Sequence, residues 1–537
     1  MKKFLCLAVA IAFFCSLHAQ KPGAVIDVQQ YDFSITVSDS SDVIRGTAGV
    51  TIIMLKETPV ITLDLISKKN NGKGMTVTAV TEKGKELSFQ HTNDVITIQL
   101  PVVARPGEKK EIVIQYEGIP ADGLIISENK YRQRVFFADN WPNRARHWIP
   151  CVDHPADKAS VNFSIIAPVH YQVVANGVQV EETSVGKNMK LTRYEEAVPL
   201  ATKVMTVGVA AFAVQLAGQV DCIPVYSWVY PEDRKNGFYD YALAADILPW
   251  FIKKVGPYAY KKLANVQSKT IFGGLENANT IFYHETSSIS GIRKSESLLA
   301  HEIAHQWFGN MATESDWPHL WLSEGFATYM TILYFEEKYG RDTALAMLRE
   351  DRDQVIDFTK RKSRPVVDTS VTNYMELLNA NSYQKGGWVL HMLRHQLGDE
   401  VFWKGIRTYY AKYAGKNASS DDLRKVLEQV SGKDLGQFFR QWLYTAGIPD
   451  LDIQWQYEAT KRAVTVVITQ KQSPVFQFPL EIAVRSNGGM QKRTLQIKEK
   501  QTTLSIPVSS RPLELIADPD VKLLFAGVPL QTGQARP

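Results

Sequence analysis

The sequence predicts a multidomain α+β protein in three parts: an N-terminal antiparallel β domain, a mainly helical middle domain and a small C-terminal β-sandwich. Three observations predict it. At 537 residues the chain exceeds what one hydrophobic core supports. Apolar residues alternate with polar ones, the period of a half-buried strand, up to about residue 220 and again after about residue 448. Between those points the apolar spacing changes to three and four, the period of a helix facing a core. A composition of 45% hydrophobic, 22% charged and 10% aromatic residues supplies packed cores and excludes a disordered chain.

The first element is a leader. Met1-Lys2-Lys3, the apolar run from Phe4 to Leu17, and Ala19 have the basic, apolar and small-residue pattern of a secretory signal, expected to span 1–19 with cleavage after Ala19. The apolar run is too short for a spanning helix, and no later stretch has eighteen or so unbroken apolar residues. The expectation is an exported protein, periplasmic or secreted, with no membrane span. Formal net charge is +5, or +3 once Lys2 and Lys3 leave with the leader, and no long basic run argues for a nucleic-acid partner. Cys6 and Cys15 fall in the leader. Cys151 and Cys222, 71 positions apart, are free to pair or not, and do not make a disulfide framework.

The β domain is expected over 20–220. Tyr31, Phe33, Ile35 and Val37 alternate with polar residues, as do Ile96, Ile98 and Leu100, and Ile112, Ile114 and Tyr116, with turn clusters at Ser38 to Asp42 and Arg105 to Glu108. Within it, Asn140 to Pro155 packs tryptophans, charges and prolines too densely for a strand and reads as an ordered loop.

The middle domain is expected over 221–447. Phe238, Tyr241, Ala245, Leu248 and Ile252 form a helical stripe, with Pro249 expected to kink or end it. A strand-like piece, Ser268 to Phe272, precedes Gly273-Gly274-Leu275-Glu276-Asn277. Further helices are expected at Gly387 to Leu397, Val401 to Tyr413, Asp421 to Val430 and Leu435 to Tyr444. Strands return over 448–537, at Val464 to Thr469, Phe476 to Val484, Thr494 to Ile497, Leu504 to Val508 and Leu513 to Ala517.

The chemistry concentrates in the middle. In His301-Glu302-Ile303-Ala304-His305, a helix puts residues i and i+4 on one face, so two imidazoles can share one metal with Glu302 beside it. Given 11 histidines, such a pair with an acid after the first arises by chance only about 0.02 times per chain. Glu324, after eighteen intervening residues, is the natural third ligand, brought in by a second helix from Phe326 to Leu333 after the turn-prone run Thr313 to Pro318. Two histidines and a carboxylate are the ligands of a catalytic rather than a structural zinc. Metal-assisted hydrolysis also needs a base and a donor for the developing oxyanion. Glu302 fits the base, and Tyr383, in Tyr383-Gln384-Lys385-Gly386-Gly387-Trp388 just ahead of a helix, offers a phenol. Gly273 to Asn277 on its own reads as a hairpin with a surface glutamate. Beside a metal, its paired glycines let a substrate approach, and Glu276 can receive a free ammonium one residue from the reacting bond.

Together these segments resemble the M1 family of zinc aminopeptidases, the gluzincins, over nearly the whole chain after the leader. His301 to Asn310 with Glu324 looks like the family's zinc signature, and Gly273 to Asn277, with Gly273, Gly274, Glu276 and Asn277 as candidate substrate contacts, looks like its exopeptidase motif. Tyr383 to Gly386 matches the segment whose tyrosine stabilises the transition state, with Gln384 where Glu is usual. Trp442 to Pro449 resembles the passage into the β-sandwich. The resemblance implies a saddle-like N-terminal domain, a thermolysin-like catalytic domain, one zinc ion and peptide substrates with a free N-terminus.

The sequence departs from the family in places. The glutamine that helps hold the substrate amine upstream of Pro150-Cys151 is missing, and by spacing Asp139 falls there as a candidate second anionic contact. His319 and Ser323 replace common Asp and Asn near the third ligand. Ending after the sandwich, without a large helical domain, implies a more open cavity. A thermolysin-like endopeptidase is the alternative, but it leaves Gly273 to Asn277 without a role. An inert peptide-binding protein is disfavoured, because ligands, base and phenol are all retained.

Overall fold

The computed structural model describes residues 24–531, so the leader, Cys6 and Cys15 lie outside the described residues. The alternation read in the sequence becomes an eight-stranded sheet ordered 178–184, 189–201, 158–168, 26–36, 44–54, 109–119, 74–82 and 85–86. Tyr31, Phe33 and Ile35 project into its core, and Phe33 stacks on Phe163 with ring centroids 5.6 Å apart. That contact crosses a parallel pairing, Ile26–Thr36 beside Lys158–Pro168, in a sheet otherwise paired antiparallel. Alternation reports which face a residue occupies, and strand direction leaves no trace in it. Two smaller sheets, 124–138 with 172–175 and 207–210, and 58–64 with 89–104, complete this region.

The expected boundary at residue 220 falls inside a hairpin. Ala213–Val220 pairs with Ile223–Val229, and both join a five-stranded sheet with Leu263–Ser268, Thr280–His284 and Gly274–Leu275. The central sheet therefore begins at Ala213, about eight residues before the expected start of the middle domain at 221, because its first strand carries the same alternation as the domain before it. Leu263–Ser268 is the strand ahead of the paired glycines, earlier than the expected Ser268 to Phe272.

Helices follow on the sheet. α1 (Arg234–Tyr241) and α2 (Ala244–Lys254) divide at Ala242–Leu243, and α2 runs through Pro249 rather than ending there. α3 (Glu296–Ala304) and α4 (Trp321–Tyr339) line the central cavity, and α5 (Arg341–Arg361) and α6 (Gly386–Leu397) follow in the chain. α5 had no counterpart among the expected helices, although Ala344, Leu348 and Val355 bury one face of it. α7 (Asp399–Tyr413) and α8 (Ser420–Ser431) lead to two facing sheets, ordered 501–507, 463–470, 451–458, 529–531 and 489–497, 478–486, 512–517, the C-terminal sandwich. No helix among the described residues is long and apolar enough to cross a membrane. Cys151 is buried, Cys222 is exposed, and both are free thiols.

Candidate metal centre and peptide cavity

α3 presents His301 and His305 side by side, with ring centroids 4.8 Å apart and ring planes at 81°. α4 supplies Glu324 from its first turn, where backbone N–H groups favour a carboxylate. Asp316, accepting from the Trp317 N–H at 2.8 Å, and Pro318 turn the chain into that helix. His301 Nε2 and His305 Nε2 lie 3.1 Å apart, and Glu324 Oε2 is 3.4 and 3.3 Å from them. Among the described residues this is the one group of three such donors converging on a single point, all within 4.8 Å.

The donor set fits a divalent cation. His305 Nδ1 faces the Phe308 carbonyl at 3.1 Å, which can only accept, so Nδ1 carries the proton and Nε2 keeps its lone pair for a metal. Ser323 Oγ stands 3.0 Å from the same Nδ1. His319 serves elsewhere: it and Trp321 share the hydroxyl of Ser420 at the base of α4. The charges agree. Glu276, Glu302 and Glu324 surround two imidazoles, and among the described residues none of the three is in a salt bridge with a lysine or arginine, although Lys203 acts on Glu276 from farther off. Burial raises the Glu302 carboxyl, and Glu276 and Glu324 raise it further. Although burial opposes it, His305 and His301 hold Glu324 well below the ordinary carboxylate range.

Glycines close the site. A Cβ at Gly274 would overlap the Glu302 carboxylate, so the base packs directly on the loop carrying Glu276. Gly325 of α4 and Gly386 of α6 bring two backbones together with no room for side chains. The π-helical turn Asn381–Lys385 is thereby held beside Glu324, with the Tyr383 ring stacked at 14° to His301, centroids 5.9 Å apart. Burial, followed by the carboxylates of Glu324, Glu276 and Glu302, pushes the Tyr383 hydroxyl well above its usual range, which keeps it a donor.

A cavity of about 570 Å³ joins Gly273, Gly274, Glu276, His301, Glu302, His305, Glu324 and Tyr383. Trp141, Phe272, Leu275, Leu298 and Leu378 give it apolar walls, and Lys294 stands at its rim. Gly274–Leu275 does pair as a hairpin with Phe282–Tyr283, yet Glu276 is buried rather than on the surface. Its Oε1 has no hydrogen-bond partner among the described residues, nor has Oε2 of Glu302.

Two expected residues do not reach the cavity. Asn277 is buried behind it, with both side-chain polar atoms unpartnered. Asp139 is wholly buried, one oxygen accepting from Arg144 and the other from Thr270 Oγ1 and the Ile271 N–H, each at 2.9 Å. Its oxygens are taken up by Arg144, Thr270 and the Ile271 N–H, and Asp139 is not among the residues that line the cavity. Trp141, from the same ordered loop, does line the cavity. Sequence reasoning had no signal for it beyond the density of aromatics there.

Residues 239–442 match the peptidase family M1 domain, and residues 28–204 match the peptidase M1 N-terminal domain. Among curated proteins, "Probable aminopeptidase 2" of Sulfurisphaera tokodaii is 28% identical over 401 residues, 70% of this chain and 49% of the relative. Human glutamyl aminopeptidase is 30% identical over 358 residues, 63% of this chain and 37% of the relative. The chain thus spans about half or less of the length of these relatives. The fold is that of a crystallised mutant of an M1 zinc metallopeptidase from Deinococcus radiodurans, with a TM-score of 0.67, 24% identity, and 80% of this chain and 98% of that one covered.

Proposed function

The chain belongs to peptidase family M1, and from that premise we propose that it is a zinc-dependent aminopeptidase removing residues from the free N-terminus of peptides. One observation carries the reading: the unpartnered carboxylate of Glu276 shares a cavity with the triad His301, His305 and Glu324. Zinc held by that triad would supply a Lewis acid that acidifies water and polarises the peptide carbonyl.

The chain's own groups do the rest. Glu276 accepts the α-ammonium, which fixes the first peptide bond beside the triad. Glu302 takes the proton of the attacking water at its unpartnered Oε2 and passes it to the departing amine. The Tyr383 hydroxyl donates to the oxygen on which negative charge develops. Trp141, Phe272 and Leu378 exclude water from one side of the cavity. The name aminopeptidase on the S. tokodaii relative is consistent with this chemistry.

The basic, apolar and small-residue pattern of residues 1–19 supports export, which N-terminal sequencing of the mature protein would test. The activity is tested by zinc analysis together with digestion of one peptide in free and N-acetylated form. Stepwise loss of single residues from the free peptide, abolished by a chelator, is the expected result. Efficient internal cleavage of the acetylated peptide would favour an endopeptidase instead, and no turnover at full zinc occupancy would favour an inert peptide-binding protein.

A further inference from the structure

The loop carrying Glu276 is gripped by two side chains that follow directly on the second histidine ligand. Gln306 and Asn310 are both buried. Asn310 Nδ2 donates to the Glu276 carbonyl at 2.7 Å, and Gln306 Nε2 donates to the same oxygen at 3.2 Å and reaches the Asn277 carbonyl at 3.5 Å. Gln306 Oε1 accepts the Asn279 N–H at 2.8 Å. Backbone groups at three positions across a four-residue turn are thus met by side chains rather than by a sheet ladder. Asn279 holds a left-handed backbone, φ +53°, a conformation that non-glycine residues adopt only with support.

Ladder bonds would fix this loop relative to the central sheet. These bonds fix it relative to the metal ligands, because Gln306 adjoins His305 and the Asn310 N–H donates to the His305 carbonyl at 3.0 Å. We propose that Gln306 and Asn310 are positioning residues that set the spacing between the amine-binding carboxylate and the metal triad, acting through the backbone carbonyl of Glu276. The proposal rests on the role given to Glu276 above. A carboxylate displaced by about 1 Å no longer holds the first peptide bond in register, a misplacement worth on the order of 10²-fold in rate.

The test uses Asn310→Asp and Gln306→Glu, which keep size while replacing each donating amide by an acceptor, with Glu276→Ala as reference. Three quantities are read: zinc per chain, amide hydrogen exchange over residues 274–280 in zinc-free protein, and the ratio of kcat/KM for a free over an N-acetylated peptide. The expected outcome is faster exchange in that segment, one zinc retained, and a ratio reduced at least tenfold in both variants. Faster exchange with an unchanged ratio would overturn the proposal, as would loss of zinc in step with activity, which would make the two amides supports of the metal ligands. Should Asn310→Asp not fold, Gln306→Glu carries the test, since it keeps the acceptor for the Asn279 N–H. A ratio unchanged in Glu276→Ala would instead remove the role of Glu276, while the exchange data still report whether the two amides hold the loop.

Discussion

Asp139 and Glu276 bracket the same loop, both are buried, and burial raises both carboxyls above the ordinary carboxylate range. Their partners differ. Asp139 has a guanidinium, a hydroxyl and a backbone N–H, while Glu276 leaves Oε1 without any donor among the described residues. The same division runs through the acids nearby. Glu314 also leaves Oε2 without a hydrogen-bond partner but faces the Lys203 ammonium at 2.5 Å, whereas Glu302 sits against Gly274 with no lysine or arginine in a salt bridge to it among the described residues. A buried carboxylate that brings its own cation is part of the structure. One that lacks a cation is stable only if a metal, a proton or a substrate ammonium completes it. Burial does not separate the two kinds, and the presence of a partner cation does.

The largest effect expected from that division lies at Glu302. Glu302→Gln keeps the shape against Gly274 but cannot take a proton, so kcat should fall by about 10²–10⁴ with zinc retained. Tyr383→Phe removes one oxyanion donor and should lower kcat by about 10²–10³. Both are read by steady-state kinetics beside metal analysis. Near-normal kcat in either variant would strip that residue of its role.

The comparison is sharpest between Glu276→Ala and Asp139→Ala. Loss of one partner of a desolvated charge pair costs roughly 2–5 kcal/mol, so Glu276→Ala should lose on the order of 10² or more in kcat/KM for free peptides. Its folding stability should hold or rise, since an unmatched buried acid is gone. Asp139→Ala should behave in the opposite way. It breaks a buried ion pair, for which about 3 kcal/mol of folding stability is the expected loss, at the low end because Arg144 keeps Asp122 at 2.9 Å. Its preference for a free over an acetylated amine should survive. If Asp139→Ala lost that preference while folding normally, Asp139 would after all belong with Glu276.

This pair also marks what the sequence discloses. The triad was legible because i, i+4 spacing on a helix and a carboxylate on the next helix are local facts of geometry. Glu276 was legible through its paired glycines, since Gly274 leaves the space that Glu302 fills. Asp139 stands out in the sequence because its position along the chain matches that of an amine ligand, while the structure places it outside the cavity lining. The signal against it stood five residues on, where Arg144 supplies the cation that closes the pair. Chain spacing did not say that the intervening loop folds back. Gln306 and Asn310 were quoted with the zinc signature and given no role, because their partner is a backbone carbonyl, which no sequence pattern marks. The parallel pairing of 26–36 with 158–168 escaped for a related reason: alternation carries no strand direction.

The smallest effect expected is a pH dependence, and it asks whether the unmatched carboxylates do await a cation. In the metal-free protein burial lowers the His305 imidazolium, but Glu324, followed by Glu276 and Glu302, outweighs it and pushes the group up to about 9. The unfolded value is near 6.5. A folded pKa above the unfolded one stabilises the fold fully below about pH 6.5 and loses that contribution as pH rises through about 9. Glu276 and Glu302, also raised, act in the same direction. Glu324 is lowered, so its contribution is lost only in acid, outside this window. Zinc takes the place of the His305 proton, and metal binding to deprotonated ligands releases protons. The melting temperature of metal-free protein should therefore fall between pH 6.5 and 9 relative to that of zinc-loaded protein, with groups remote from the site cancelling in the difference. Zinc added to metal-free protein at pH 7.5 in weak buffer should release about one proton. A gap that narrows as pH rises, or zinc binding without proton release, would mean that the cluster is already balanced as it stands, and the line drawn between Glu276 and Asp139 would fail with it.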